Sequence, residues 1–126
     1  MIVRTLDEIK GTDRDVNWGN GQSRRLLLQS DGFPFGFTDT TGKAGAVSKQ
    51  QYSNHLEVCY CIEGSGELEV EGKVYKIEPG TMFALEHEKH IIRNTTDIRF
   101  ICVFMPPLKG QEKHIFSEDG YSSYEA

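Results

Sequence analysis

Turn residues punctuate this chain every eight to twelve positions, and that rhythm leaves room for short strands and little else. Asn17-Trp18-Gly19-Asn20-Gly21, Ser30-Asp31-Gly32, Thr41-Gly42, Glu63-Gly64-Ser65-Gly66, Glu71-Gly72 and Glu78-Pro79-Gly80 are the clearest breaks. Between them lie segments rich in aliphatic, aromatic and β-branched residues: 24–29, 33–39, 54–62, 66–70, 73–77, 81–85, 90–95 and 98–104. Evenly spaced short strands predict an all-β sandwich or barrel. Glu71-Gly72, between Leu68-Glu69-Val70 and Val74-Tyr75-Lys76, predicts a tight hairpin turn. Thr5-Leu6-Asp7-Glu8 followed by Gly11 reads as a capping box and glycine stop around one short N-terminal helical turn.

The 126 residues suit one domain, 1–126, with a single core. The chain has no internal repeat, linker or low-complexity tract; after Pro106-Pro107 it turns polar, so 109–126 reads as a C-terminal lid or tail. A hydrophobic share of 37% and a charged share of 26% are those of a soluble globular protein. The formal charge of −5, with acids and bases mixed, argues against nucleic acid as a partner. No apolar run reaches the roughly 18 residues of a membrane span. Met1 to Glu8 has no apolar signal region, so a cytoplasmic location is expected. Three cysteines make no disulfide framework. Cys59 and Cys61 share a strand face; buried core thiols are the preferred reading over a metal-binding pair.

Gly45, Gln51, Ser53, Glu57 and Gly64 carry the spacing of the first metal-binding motif of the cupin barrel, with both histidine positions replaced and the carboxylate kept. Glu78-Pro79-Gly80-Thr81-Met82-Phe83 has the spacing of the second motif, with Phe83 at its histidine position. The fold this resemblance implies is a double-stranded β-helix, or jelly-roll barrel. Of the four ligand positions in the general cupin template, only Glu57 can bind a metal.

An ordered series of segments resembles the ectoine synthase family over residues 1 to about 120. It includes Met1-Ile2-Val3-Arg4, Gly11-Thr12-Asp13-Arg14-Asp15-Val16, Trp18-Gly19-Asn20-Gly21 and Ser23-Arg24-Arg25-Leu26-Leu27-Leu28. Asp39-Thr40-Thr41, Asn54-His55-Leu56-Glu57, Tyr60-Cys61-Ile62-Glu63-Gly64, Pro79-Gly80-Thr81-Met82, Cys102-Val103-Phe104, Pro106-Pro107-Leu108 and Glu112 with His114 continue it. The resemblance implies a homodimeric, iron-dependent lyase that closes N-γ-acetyl-L-2,4-diaminobutyrate, an N-acylated diamino acid, to ectoine with loss of water. The family's metal ligands, a glutamate, a tyrosine and a histidine, fall here on Glu57, Phe83 and His90. Iron (Fe2+) is therefore the implied cofactor and zinc the alternative, with one donor missing at Phe83. Lys49-Gln50-Gln51, Met105 and the short hairpin at Glu69-Val70-Glu71-Gly72 also depart from the family pattern. A non-catalytic or altered-specificity small-molecule-binding cupin is the rival expectation.

Such a reaction needs a folded substrate, a polarised carbonyl, a base for the amine and an acid for the departing hydroxyl. By strand periodicity Glu57, His55, Cys59 and Cys61 share one face. The opposite register would bury Leu56, Val58, Tyr60 and Ile62 and leave Glu57 in solvent; the motif spacing favours Glu57 in the cavity. Tyr52, His55, Glu57, Glu112 and His114 are the candidate catalytic residues, Glu112 and His114 being an acid–base pair or solvated tail. Arg25 is the candidate carboxylate clamp, or else a strand-edge charge, with Thr40 a hydroxyl donor beside it. Trp18 is a loop anchor or a lid. Cys102 and Phe104 are expected in the cavity wall, and Glu57 and His90 are the expected metal ligands, with His87 or His55 as substitutes.

Overall fold

The computed structural model describes residues 1–112, 114–116 and 119–124. Its one α-helical turn among them, α1 (Leu6–Ile9), forms because Thr5 and Glu8 cap each other: the Thr5 hydroxyl accepts from the Glu8 amide, and the Glu8 carboxylate accepts from the Thr5 amide. A 3-10 turn spans Gln29–Asp31, and the strands are β1 (Asp15–Asn17), β2 (Gln22–Leu27), β3 (Gly36–Gly42), β4 (Val47–Gln50), β5 (Leu56–Glu63), β6 (Gly66–Val70), β7 (Lys73–Ile77), β8 (Met82–Leu85), β9 (His90–Asn94), β10 (Ile98–Met105), β11 (His114–Phe116) and β12 (Ser122–Tyr124).

These strands make two six-stranded sheets, in the orders β1-β2-β3-β10-β5-β8 and β11-β12-β4-β9-β6-β7. Neighbours run antiparallel except β12 beside β4, which meet in parallel at Ser122 and Gln50. The hairpin between β6 and β7 turns on Glu71 (φ 51°) and Gly72 (φ 79°). Two positive φ values suit the right-handed twist of the flanking strands.

Strand β5 sets the register of the barrel. Glu57, Cys59 and Cys61 face inward, whereas Leu56, Val58 and Tyr60 are 37–45% exposed. Hydrophobicity alone would choose the reverse. Gly64, directly after β5, makes the close corner that follows: a Cβ there would stand 2.1 Å from the Asp97 carbonyl oxygen, so only glycine permits it. The small thiols leave room for aromatics on the same inner face. Phe83 packs edge-on to Phe100 with centroids 5.7 Å apart, and Phe104 meets Tyr52 the same way at 5.9 Å. Leu68, Ile77 and Ile92 close the core from the other sheet.

β1 and β4 lay outside the strand segments read from sequence. Asp15-Val16-Asn17 and Val47-Ser48-Lys49-Gln50 are too polar to announce a strand; pairing with β2 and β9 makes them strands. The C-terminal segment is also partly built into the fold. Leu108 is buried, its carbonyl accepts from the Gln29 amide at 2.8 Å, and β11 and β12 extend the second sheet beyond β4. The N-terminal end is tied by Asp31, whose carboxylate accepts from both Arg4 and Arg14 and from the Leu28 amide.

Candidate active site

A cavity of about 40 Å³ lies between the sheets, walled by Glu57 and Cys59 of β5, Cys102 of β10, Thr40 of β3, Ser48 and Gln50 of β4, and by Trp18, Tyr52 and His114. A larger groove of about 660 Å³ runs along β7 and β8, lined by apolar residues such as Val74, Tyr75 and Met82. The chemistry-bearing side chains line the smaller space.

Glu57 is 6% exposed, and its Oε1 makes no hydrogen bond among the described residues. Burial disfavours the charged form and pushes its carboxyl up to about 7; the nearby Cys59 thiol only partly offsets this. A carboxyl in that range gives and takes protons near neutrality with equal ease.

Opposite it, His114 is ringed by Trp18, at a centroid distance of 5.2 Å, and by Tyr52 at 5.8 Å. Its Nε2 stands 3.4 Å from the Tyr52 hydroxyl and its Nδ1 lies 2.6 Å from the Ser122 hydroxyl. Desolvation, followed by the positive charge of Arg25 and by His90, lowers this imidazole to about 4. His114 is therefore neutral at pH 7, a hydrogen-bonding group rather than a cation. The Trp18 indole donates to the Thr41 carbonyl at 3.0 Å, which fixes the ring over the cavity.

Other expected residues are differently employed. Arg25 is fully buried but grips the chain itself: Nη1 donates to the Gly110 carbonyl and Nη2 to the Glu112 carbonyl, both at 2.7 Å, and Nε to the Ser23 hydroxyl. It pins the C-terminal segment against β2 and sends its charge toward His114. Glu112 and His114 do not pair. Although burial opposes it, the Lys109 and Gly110 amides, with Arg25, hold the Glu112 carboxyl below its usual range. Glu112 thus closes a turn as a carboxylate. His55 bonds the Pro106 carbonyl through Nδ1 at 2.8 Å and packs edge-on to Phe104, behind the cavity wall.

His90 is buried with Nε2 on the Gln50 side-chain oxygen at 2.9 Å and Nδ1 near the Glu88 carbonyl at 3.3 Å. Desolvation lowers its pKa. Phe83 offers no donor, and the His87 ring is held by the Tyr52 carbonyl at 2.9 Å. Among the described residues, the group whose donor atoms all lie within 4.8 Å of one another is Glu57, Cys59 and Cys102. That group and the barrel are consistent with a bound metal. The trio Glu57, Phe83 and His90 fits one poorly: it holds a single unengaged donor, the orphaned Glu57 oxygen.

Sequence reasoning missed the pairing of Cys59 with Cys102, which face each other in register with sulfurs 3.5 Å apart. Their separation of 43 residues hides the contact until β5 and β10 are paired. Gln50 and Ser48 were missed too, because β4 itself was.

Two packed sheets with a carboxylate, thiols and aromatics converging between them define a cupin barrel. A cupin 2 conserved barrel domain protein from Salinispora arenicola shares this architecture, with a TM-score of 0.66 at 20% identity, over 83% of this chain and 88% of that one. The ectoine synthase family model matches residues 1–125. The L-ectoine synthase of Desulfatibacillum aliphaticivorans is 48% identical over 125 residues, 95% of each protein. The crystal structure of ectoine synthase from P. lautus superposes with a TM-score of 0.84 at 50% identity, covering 87% of this chain and 81% of that one. The chain belongs to the ectoine synthase family.

Proposed function

We propose that this protein is a cyclodehydratase of the ectoine synthase kind, closing N-γ-acetyl-L-2,4-diaminobutyrate to ectoine with loss of water. The observation that carries the reading is the buried Glu57 carboxyl, whose Oε1 has no hydrogen-bond partner in the cavity of a chain from this family. A non-catalytic reading, favoured by Phe83, leaves the cost of that buried group without a reason.

The reaction needs protons moved twice between the same atoms. As the substrate's free α-amine attacks the acetamide carbonyl carbon, the Glu57 proton passes to the carbonyl oxygen. The resulting carboxylate takes a proton from the newly bonded nitrogen, leaving a neutral carbon that bears the hydroxyl. A second cycle gives the Glu57 proton to that hydroxyl, which departs as water, and removes the second N–H proton. The amidine ring remains and Glu57 is again protonated. A carboxyl near 7 serves both directions. Tyr52 and the neutral His114 orient the reacting end. Trp18, Thr40, Cys102 and Phe104 shape and back the pocket, and the Arg25 charge favours the substrate carboxylate at that side. His55 acts through Phe104 and Glu112 through the C-terminal turn, both as positioning residues.

The family reading brings a ferrous ion: Glu57 would hold it as a carboxylate, and the ion would then polarise the carbonyl in place of the Glu57 proton. The cavity as it stands holds roughly three waters. Substrate entry therefore moves the Trp18–His114 side, with residues 109–112, 114–116 and 119–124 of the C-terminal segment acting as the lid; the rest of 109–126 lies outside the described residues.

The same reading includes a homodimer and a cytoplasmic location. Leu56, Val58, Tyr60, Met82 and Met105 give the outer face of the first sheet an exposed apolar patch beside the edge strand β8, a surface suited to a second copy. No helix among the described residues is long and apolar enough to cross a membrane.

Incubation with the acetylated diamino acid and chromatography for ectoine tests the reaction. Ectoine is the expected product; its absence with metal-supplied protein overturns the reading.

A further inference from the structure

We propose that Glu57, Cys59 and Cys102 together form the metal site of this chain, a carboxylate–dithiol set that takes a thiophilic divalent cation such as Zn2+ or Fe2+. This rests on the cavity of the reading above and names its donors: with an ion bound, Glu57 would be a carboxylate ligand and the ion would stand in for the Glu57 proton on the carbonyl, whereas the binding itself does not depend on that reaction.

The register of the first sheet shows how the donors are gathered. Arg25, Thr38, Cys102, Cys59 and Phe83 stand side by side across β2, β3, β10, β5 and β8. Phe83, the position where the family resemblance expects a phenol oxygen, is thus the direct neighbour of Cys59. The missing oxygen is matched by a sulfur one strand over, with another beyond it at Cys102. Glu57 lies two residues before Cys59 on the same inner face, which brings the carboxylate over the pair.

The spacing already suits a metal. Two thiolates on one tetrahedral ion, each bonded at about 2.3 Å, lie about 3.8 Å apart. Here the sulfurs are 3.5 Å apart, so an ion requires them to part by only a few tenths of an ångström. All three donor atoms fall within 4.8 Å of one another, and each residue lines the cavity.

The unpartnered Glu57 oxygen is the second, independent sign. A buried carboxylate oxygen without a hydrogen bond costs free energy unless something outside the chain satisfies it. Three protein donors facing a cavity leave a fourth coordination position for water or substrate, the pattern of catalytic rather than structural sites. Two thiolates and a carboxylate exceed the charge of a divalent ion by one, and Arg25 lies in the same row as Cys102. The soft ligands favour zinc or iron over magnesium or calcium.

Titration of the reduced, metal-free full-length protein with Co2+, followed by its sulfur-to-cobalt charge-transfer absorption, tests this. One ion per chain with a clear thiolate band is expected, displaced by Zn2+. Cys59→Ala and Cys102→Ala, each first checked for a cooperative melt, are expected to weaken binding about tenfold or more and diminish the band. His90→Ala is expected to leave band and stoichiometry unchanged. No band in the unsubstituted protein overturns the site without recourse to any variant. Binding lost in His90→Ala but kept in both cysteine variants overturns it as well. Ectoine formation measured on the same samples separates the two ideas. Product without a thiolate band sinks this site and leaves the proposed reaction standing, whereas a thiolate band without product does the opposite.

Discussion

Glu57 and Asp31 are both nearly buried carboxylates, and the fold treats them in opposite ways. Asp31 receives two guanidiniums and a backbone amide. The Arg4 hydrogen bond first, then the Arg14 bond and the Leu28 amide, outweigh burial and hold its carboxyl far below the usual range. Glu57 receives almost nothing, and burial drives it up to about 7. Asp31 fastens the N-terminal segment to β2 and the turn that follows it. Glu57 faces the cavity with one oxygen bare. A carboxylate held for stability is surrounded by its partners; one held for chemistry waits for a partner from outside.

The largest way to break this contrast is to remove the proton-carrying group and keep its shape. Glu57→Gln should lower kcat on the acetylated diamino acid about 1,000-fold, or about 4 kcal/mol of barrier. Ectoine formation under saturating substrate measures it. A loss under tenfold would make Glu57 a bystander and leave the contrast without meaning.

The complementary substitution strikes Asp31. Asp31→Asn keeps the volume but leaves Arg4 and Arg14 facing a neutral amide. Breaking such a pair costs about 2 kcal/mol here, less than for fully buried pairs because both arginines remain about a fifth exposed. The melting temperature should fall by roughly 8 °C, with kcat unchanged. A change in kcat instead of melting temperature would mean the N-terminal anchor is not separate from the site.

Much of the fold was legible because its signals are local. The capping box at Thr5 and Glu8, the Glu71-Gly72 turn and the glycine corner at Gly64 each act within a few residues. β5 was legible only through motif spacing, since its apolar residues face outward. The site was less legible because its contacts are long-range. Arg25 looks like a substrate clamp until residues 110 and 112 fold back onto it. His90 looks like a ligand until β4, a strand too polar to recognise, brings Gln50 to its Nε2. Cys59 and Cys102 look like core filler until β5 and β10 align.

The two carboxylates also pull the pH dependence of stability in opposite directions, which sharpens the comparison without substrate. Glu57 has a folded pKa above its unfolded value. The stability it contributes is full below about 4.5 and is lost as pH rises through about 7. Asp31 has a depressed pKa, so its contribution is present above about 4 and is lost as pH falls further. Metal-free Glu57→Gln should therefore abolish a decline in unfolding free energy of up to about 3 kcal/mol between those two Glu57 values. Denaturant unfolding at several pH values reads it. A decline that persists in the variant would assign the effect to another group.

The smallest expected effect concerns the other side of the cavity. Tyr52→Phe removes the hydroxyl 3.4 Å from His114 Nε2 and keeps the ring packed on Phe104. His114 is neutral, so this bond orients an imidazole rather than balancing a charge. An orienting bond of this kind is worth about 1 kcal/mol. The rate should drop roughly five- to tenfold with the melting temperature nearly unchanged, because no charge is stranded. A fall as deep as that of Glu57→Gln would make Tyr52 a proton carrier in its own right, and the cavity would then hold two carriers where the contrast with Asp31 requires only one.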